Sequence, residues 1–415
     1  MRLSKKTVVS VNESESNIIG HMTYAARKLW NVCNYERHNY KALDLEQAPS
    51  WYSQKKNHKD DLWFKSLPSQ TAQEVCKVLD KSWKSFYALK RTSGIENPHP
   101  PRYKRENIPV TYMQNGIRKN GDTMRLKISK SLKAYMLGTY AIDADYLYLR
   151  NPCFKDIERV KQLKLYPPQN GKMEIIIVYE VQDVELKPDN GKYLSIDIGI
   201  HNLMTCYSTE GDPFILGRKY FSISRKYDKE LARVQSQWSK VQADTGVKYP
   251  KSSKHIKKLH SKKRNCLNDY LHKLTHWIAV YCDDRDIHTV ILGDITGIRE
   301  DNDMGPMVNQ KFHALPYQRI CELLSYKLSM RGICLIMQDE AYSSQCSPLS
   351  PGVSEEYAVK KNRVRRGLYK DGNLSWNADV VGAYNILRLH LQQRERSPIP
   401  SALQSVYHRI IKVAV

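Results

Sequence analysis

The apolar positions of the chain change their period several times, and the changes predict its elements. Residues 6–11 (KTVVSV) read as a strand. From Ile18 the apolar residues step by four and three through Met22, Ala25, Leu29 and Val32, one face of a helix, and Asn12 with Glu15 supplies a capping box ahead of it. A second helix is predicted over about Ser69–Lys90, with Ala72, Val75, Leu79, Trp83 and Phe86 on one side. The polar, Trp- and Lys-rich stretch 46–66 reads as loop, and the three prolines of IENPHPPRYKREN forbid regular structure there. Short strands follow in VTYMQ, TMRLKI, YLYLR and EIIIVYEV, so the first half is strands wrapped around a helical hairpin, closed by the linker DVELKPDNGK.

The second half opens on YLSIDIGIHNLMTCYS, a buried strand, a turn and another strand, and residues 213–222 continue that sheet. Helical sequence occupies 225–264 around a loop near DTGVKYP, and Leu259, Leu267, Leu271, Leu274, Ile278 and Val280 carry the helix toward a core. The strand HTVILGDI, a helix over about Pro316–Arg331 ending at Gly332, and the strand ICLIMQDE come next. Residues 343–376 have no clear period, a helix runs from Asn377 to about Gln393, and the tail reads as an added helix. This alternation predicts an α/β sheet with helices on both faces.

Charge changes the picture. Lys and Arg number 66 against 43 Asp and Glu, a net +23, which points to a polyanionic partner. Residues 225–264 alone carry 13 Lys/Arg against 3 Asp/Glu. With 27 Tyr against 6 Phe, aromatic groups that stack on bases and donate to phosphates are abundant. Arg102, Tyr103, Lys104, Lys257, Lys258, Lys262, Lys263, Arg365 and Arg366 are candidate nucleic-acid contacts; a solvated basic face is the alternative for the helical and loop runs. No apolar run approaches the ~18 residues of a transmembrane helix, and the N-terminus lacks a secretory apolar core. Nine cysteines without one CxxC pair predict neither a disulfide framework nor a four-thiolate zinc site, and a reducing, cytoplasmic setting is expected.

Four acidic positions carry the candidate chemistry. Asp197 lies inside the apolar LSIDIG, Asp294 ends VILGD, Glu340 ends LIMQDE, and Asp379 lies in the first turn of NADVVGAYNIL, where capping alone would account for it. Carboxylates converging on one site repel each other, and divalent cations relieve the repulsion. Oxygen-only ligands suit Mg²⁺ or Mn²⁺ rather than zinc. Two such ions ~4 Å apart would clamp the attacking and leaving oxygens of a phosphodiester. A basic protein with such a site reads as a nuclease.

The motifs carry a resemblance. DIGIHNLMT is similar to the first RuvC motif of TnpB proteins and their type V CRISPR relatives, AYSSQCS to their YTSQ(x)CS segment, and NADVVGAYNILR to their third motif, usually NADVNGAxNI. NQKFHALPYQRICELLSYKLSMRGI matches their penultimate helix, and LPSQTAQEVCKVLDKSWKSFYALKR with PPRYKR resembles the N-terminal helix and PRFK element. The resemblance implies an RNA-guided DNA endonuclease of insertion sequences. Residues 1–188 would form an N-terminal β-barrel-like wedge domain with a helical insertion (about 12–92), 189–392 an RNase H-like (RuvC) nuclease domain and 393–415 a tail. Guide RNA and target DNA are the implied partners, and Asp197, Glu340 and Asp379 the implied catalytic and metal-binding residues.

Two departures follow. The family's second motif carries a catalytic glutamate where this chain has Gly293. DEAYSS corresponds to an EExYTS segment in relatives with a similar substitution, which makes Glu340 the candidate replacement, with Asp294 and Asp339 as alternates. The four-cysteine zinc ribbon is reduced to Cys346, so 343–376 is a degenerate ribbon and zinc is not expected. A nuclease-inactive, RNA-guided DNA-binding protein or repressor on the same scaffold is the alternative, and a nuclease or resolvase without guide RNA is a third.

Overall fold

A computed structural model of the chain describes residues 1–92, 96–247, 252–296, 314–365, 367–393 and 409–414. They fall into two compact units, Met1–Gln182 and Asp183–Val415.

In the first unit, β1 (Arg2–Ser10) leads into α1 (Glu13–His38). Asn12 Oδ1 accepts from the Glu15 backbone N–H and Glu15 Oε2 from that of Asn12, so the capping box forms and fixes the start of the helix. The stretch expected as loop instead holds α2 (Trp51–Asn57), capped by Ser50, and α3 (Leu62–Lys65). Each buries one side chain, Gln54 or Phe64, and so leaves no periodic signal. After α4 (Ser69–Thr92) come β2 (Val110–Met113), β3 (Ile117–Asn120), β4 (Thr123–Lys127), α5 (Lys130–Tyr140), β5 (Tyr146–Arg150), β6 (Arg159–Leu165) and β7 (Lys172–Glu180). The helix α5 also escapes the pattern, because only Leu132 and Met136 of it are buried.

Where a barrel-like wedge is expected, the described residues form two antiparallel sheets, ordered β1-β7-β6-β2 and β3-β4-β5. A single core joins them to the helices, with Met22 and Leu29 of α1, Leu79 of α4, Tyr112 of β2, Leu126 of β4 and Ile175 of β7. Packing rather than a closed hydrogen-bond ladder unites the strands.

The second unit contains β8 (Tyr193–Asp197), β9 (Met204–Ser208), β10 (Pro213–Leu216), α6 (Tyr220–Asp244), α7 (Lys254–Asp284), β11 (Thr289–Asp294), α8 (Tyr317–Ser329), β12 (Cys334–Asp339), β13 (Leu368–Asp371), β14 (Leu374–Asn377), α9 (Ala378–Gln393) and β15 (Arg409–Ile410). Its main sheet runs β12-β11-β8-β9-β10-β15. The strands β12, β11 and β8 are parallel, while β9 is antiparallel to both β8 and β10. Most of the tail lies outside the described residues. Its described end is no helix: β15 pairs parallel with β10, whose free edge supplies the unpaired backbone groups.

The central strands are mostly apolar because both faces are covered. Leu194, Ile196 and Leu292 face the core containing α7 and α8, and Tyr193 and Ile291 face Val381, Tyr384 and Leu387 of α9. The basic α6 and α7 are held together by a small zipper of Leu231, Ile256 and Leu259. The segment without clear period carries the β13–β14 hairpin, and Cys346 is buried with its thiol donating to the Ser354 carbonyl.

One polar contact fixes β8 against α9. The buried Ser195 hydroxyl lies 2.6 Å from the Ala383 carbonyl and 3.1 Å from that of Tyr207. Ser195→Ala leaves these acceptors without that donor and should cost about 1–3 kcal/mol. Hydrogen exchange should accelerate in β8 and α9, and unchanged exchange there would show that the contact contributes nothing.

Candidate functional site

Register brings the acidic residues together. Leu292 of β11 pairs with Ile196 of β8, so Gly293 comes next to Asp197. On its other side, Gly293 pairs with Gln338 and Asp294 with Asp339. The carboxyl ends of these parallel strands open on a cleft of about 1000 Å³ whose lining includes Asp197, Asp294, Asp339, Glu340, Arg363 and Asp379. Sites in open α/β sheets form at this end.

Asp379 enters from the first turn of α9. Asn377 is the cap, its Oδ1 accepting from the backbone N–H of Asp379 at 3.0 Å and of Val380 at 3.2 Å. The Asp379 side chain is therefore released from capping. Its Oδ2 accepts from Asn202 Nδ2 at 2.7 Å, and its Oδ1 lies 3.4 Å from an Arg363 nitrogen. Asp197 is pressed against α9, since a Cβ at Gly382 would lie 2.7 Å from its Oδ2. Burial, then the nearby Glu340 and Asp379, push the Asp197 carboxyl well above its usual range.

Glu340 fills the space that Gly293 leaves. A Cβ at residue 293 would lie 2.5 Å from Glu340 Oε2 and 2.9 Å from Ile386 Cδ1. That Oε2 is buried and has no hydrogen-bond partner. Burial, reinforced by Asp294 and Asp339, pushes the Glu340 carboxyl up to about 7. Asp294 has a different environment. Its Oδ1 accepts from Thr296 N at 2.9 Å, Thr296 Oγ1 at 2.8 Å and the Tyr317 hydroxyl at 3.2 Å. Burial opposes its ionisation, but these bonds prevail and hold it below the usual carboxylate range. Asp339 Oδ1 accepts from the Ala341 backbone N–H. The carboxylates line one cleft without closing on a point, because ligand atoms of Asp197, Glu340 and Asp379 do not all lie within 4.8 Å of one another.

Several supporting residues are not among the candidates read from the sequence. Asn385 donates to the carbonyls of Ser343 and Cys346, and Arg388 to those of Ser347 and Ser350, which straps 343–350 to α9. Asn202 is another, visible only as one of two polar residues inside IHNLM.

The basic candidates divide. Arg102, Tyr103 and Lys104 are exposed, with the Arg102 and Lys104 carbonyls held by Trp30 and Asn31 of α1 and the Tyr103 ring stacked on His38. Lys257, Lys258 and Lys262 project from α7 into solvent, and Arg365 is exposed beside β13. Lys263 differs: it is half-buried and paired with Asp228 at 2.6 Å, because the α6–α7 packing brings that carboxylate to it. Arg366 lies outside the described residues. No helix among the described residues is long and apolar enough to cross a membrane.

Residues 176–299 match the family OrfB_IS605, described as "Probable transposase", and residues 317–386 match the "Cas12f1-like, TNB domain" family. The "Putative RNA-guided DNA endonuclease InsQ" of Escherichia coli (strain K12) is 24% identical over 367 residues, 85% of this chain and 82% of that protein. The fold is similar to the protein in a cryo-EM structure of a Cas12f1-sgRNA-target DNA complex. There the TM-score is 0.60 and the identity 12%, over 90% of this chain and 83% of that one.

The chain is TnpB-like. Both family matches fall on segments that build the cleft of this TnpB-like protein, the first spanning Asp197 and Gly293, the second Glu340 and Asp379.

The raised carboxyl of Glu340 has a measurable consequence. A carboxyl with a folded-state pKa above its unfolded value stabilises the fold at low pH and loses that contribution as it ionises. With chelator present, the unfolding midpoint of the second unit should therefore fall as pH rises from 4.5 to about 7. Mg²⁺ should raise the midpoint more at about pH 8 than at about pH 5. Calorimetry checks this, and a midpoint indifferent to Mg²⁺ at the higher pH would contradict it.

Proposed function

We propose that the chain is an RNA-guided DNA endonuclease whose active site is Asp197, Glu340 and Asp379. One observation carries the proposal: Glu340 Oε2 occupies the place where a side chain on Gly293 would begin. The glutamate that TnpB-like sequences carry on this strand is absent, and a carboxylate reaches the same space from the neighbouring one. The sheet order β10-β9-β8-β11-β12 supports an RNase H-like nuclease domain.

The residues fit a divalent cation. All three are oxygen donors of the kind Mg²⁺ and Mn²⁺ prefer, and the partnerless Glu340 Oε2 is a ligand atom awaiting a positive charge. Bound there, such a cation would neutralise phosphodiester charge and make a water molecule more acidic and so a better nucleophile. Asp197 and Asp379 would supply ligands from β8 and α9, and Glu340 would complete the set in its ionised form. Asn202 holds Asp379 in orientation, and Arg363 is placed to receive the scissile phosphate.

In this proposal the first unit, within 1–188, binds guide RNA and reads a short motif beside the target, with Arg102, Tyr103 and Lys104 on nucleic acid. Lys257, Lys258 and Lys262 of the nuclease domain (189–392) hold backbone phosphates, with Arg365 and Arg366 as further contacts. Base pairing with the guide supplies sequence specificity.

The inactive alternative, an RNA-guided DNA-binding protein or repressor, draws on two features. Asp379 is already engaged by Asn202 and Arg363, and the three carboxylates are not drawn together within 4.8 Å. Cleavage of a matched target by the purified protein with its co-purified RNA and Mg²⁺ decides between them. Asp197→Asn, Glu340→Gln and Asp379→Asn should each lower cleavage about 1000-fold or more while leaving RNA binding intact. Asp294→Asn should cut at the wild-type rate; if it alone abolishes cutting, Glu340 is not the replacement. Wild-type protein that binds the target without cutting would favour the repressor.

The exchange between strands is separately testable. Gly293→Glu should lose cleavage, because its side chain collides with Glu340. Gly293→Glu combined with Glu340→Gly should recover measurable cleavage. A double variant as dead as Glu340→Gly alone would mean that position 293 cannot supply the carboxylate.

A further inference from the structure

We propose that the first unit holds a structural zinc site formed by Cys33, Glu36, His58 and Cys76. Cys33 and Glu36 lie three residues apart on α1, so they share a helix face. His58 follows the last turn of α2, and Cys76 lies on α4. Ligand atoms of Cys33, Glu36 and His58 all fall within 4.8 Å of one another, which no other trio of Cys, His or acidic residues achieves among the described residues. Cys76 Sγ lies 3.9 Å from Cys33 Sγ. Tetrahedral zinc with Zn–S bonds of about 2.3 Å separates two thiolates by about 3.8 Å, whereas a disulfide would bring them to about 2 Å. Cys76 is outside the 4.8 Å group, so it would close on the ion by a small side-chain movement.

The surroundings match a metal's outer shell. His58 Nδ1 lies 2.6 Å from Asp61 Oδ2, the carboxylate contact that fixes a ligating imidazole with its other nitrogen inward. That other nitrogen, Nε2, lies 3.0 Å from Glu36 Oε1 yet makes no aligned hydrogen bond, and it is buried. Gln54 donates to Glu36 Oε2 at 2.9 Å and to the Cys33 carbonyl at 2.7 Å, holding both ligands in place. Cys33 and Cys76 are wholly buried and His58 is 7% exposed. Two thiolates, one imidazole and one carboxylate make a closed set of four, the mark of a structural rather than a catalytic zinc site. The ion would tie α1, α2 and α4 together.

A proton is the competing occupant. Glu36, against the effect of burial, and then Asp61 push the His58 pKa up to about 9 in the metal-free protein. A proton on Nε2 needs neither thiol, and this separates the two cases. The full-length chain, produced in zinc-supplemented medium without a histidine tag, should carry one equivalent of zinc by mass spectrometry of its metals. Replacing zinc with Co²⁺ should give the near-ultraviolet charge-transfer band of thiolate ligands. Cys33→Ser, Cys76→Ser and His58→Gln should each lower zinc content at least about fivefold with the helical circular dichroism retained. Wild-type protein without zinc, cobalt bound without a thiolate band, or zinc undiminished in these variants would overturn the site. The cobalt spectrum uses only wild-type protein, so the test survives a variant that fails to fold, and it cannot be mimicked by cations in the all-oxygen cleft.

Discussion

Placing several carboxylates at the buried ends of neighbouring strands is the constraint on which the second unit turns. Each one raises the cost of ionising the next, and burial removes the water that would screen them. The surrounding sequence accommodates the strain position by position. Gly382 lets α9 approach Asp197 without a side chain between them. Asn377 takes over the cap of α9, which frees the Asp379 side chain to turn into the cleft. Thr296 and Tyr317 satisfy Asp294, so this carboxylate is stabilised as an anion by neutral donors and does not share the raised state of Asp197 and Glu340. The result is a site with two populations of acid, one content without a cation and one that is not.

The chain shows how far such a site can be read before its fold is known. Asp197 stood out because an acid inside LSIDIG conflicts with the apolar run around it, and Asp379 because of the motif around it. The long amphipathic helices were legible for the same reason: α1 and α4 repeat their apolar residues over several turns. What escaped is short or depends on pairing. The helices α2 and α3 each bury a single side chain, and α5 buries two, too few for a period. The contact of Glu340 with the space at Gly293 depends on β11–β12 register, which no local pattern encodes. Lys263 looked like its exposed neighbours until the packing of α6 on α7 brought Asp228 to it.

Cysteine spacing illustrates the same limit from the other side. A search for CxxC pairs detects metal sites whose ligands are close in sequence, and this chain has none. Cys33 and Cys76 are 43 residues apart and meet only because α1 and α4 pack as a hairpin. The proposed zinc ligands are each unremarkable where they stand: two buried cysteines on apolar helix faces, a half-buried glutamate and a histidine at a helix end. Only their convergence, with Asp61 and Gln54 behind them, distinguishes them from ordinary core positions.

If the proposed active site holds, the pairing of Gly293 with Glu340 bears on how a catalytic acid can change strands without loss of the fold. The space beside Asp197 is finite, bounded by Ile386 on α9 and by the strand backbone itself. A side chain on β11 and the carboxylate from the end of β12 cannot both enter it, on grounds of volume and of like charge. A chain that acquired Glu340 while keeping an acid at 293 would have one more carboxylate in an already repulsive cluster. A chain that lost the acid at 293 first would have a cavity where a ligand should be. Glycine at 293 is the side of this exchange that costs least once Glu340 is present, since it removes both the overlap and the surplus charge. This steric coupling ties the two positions together, so that the residue at either is interpretable only together with the residue at the other.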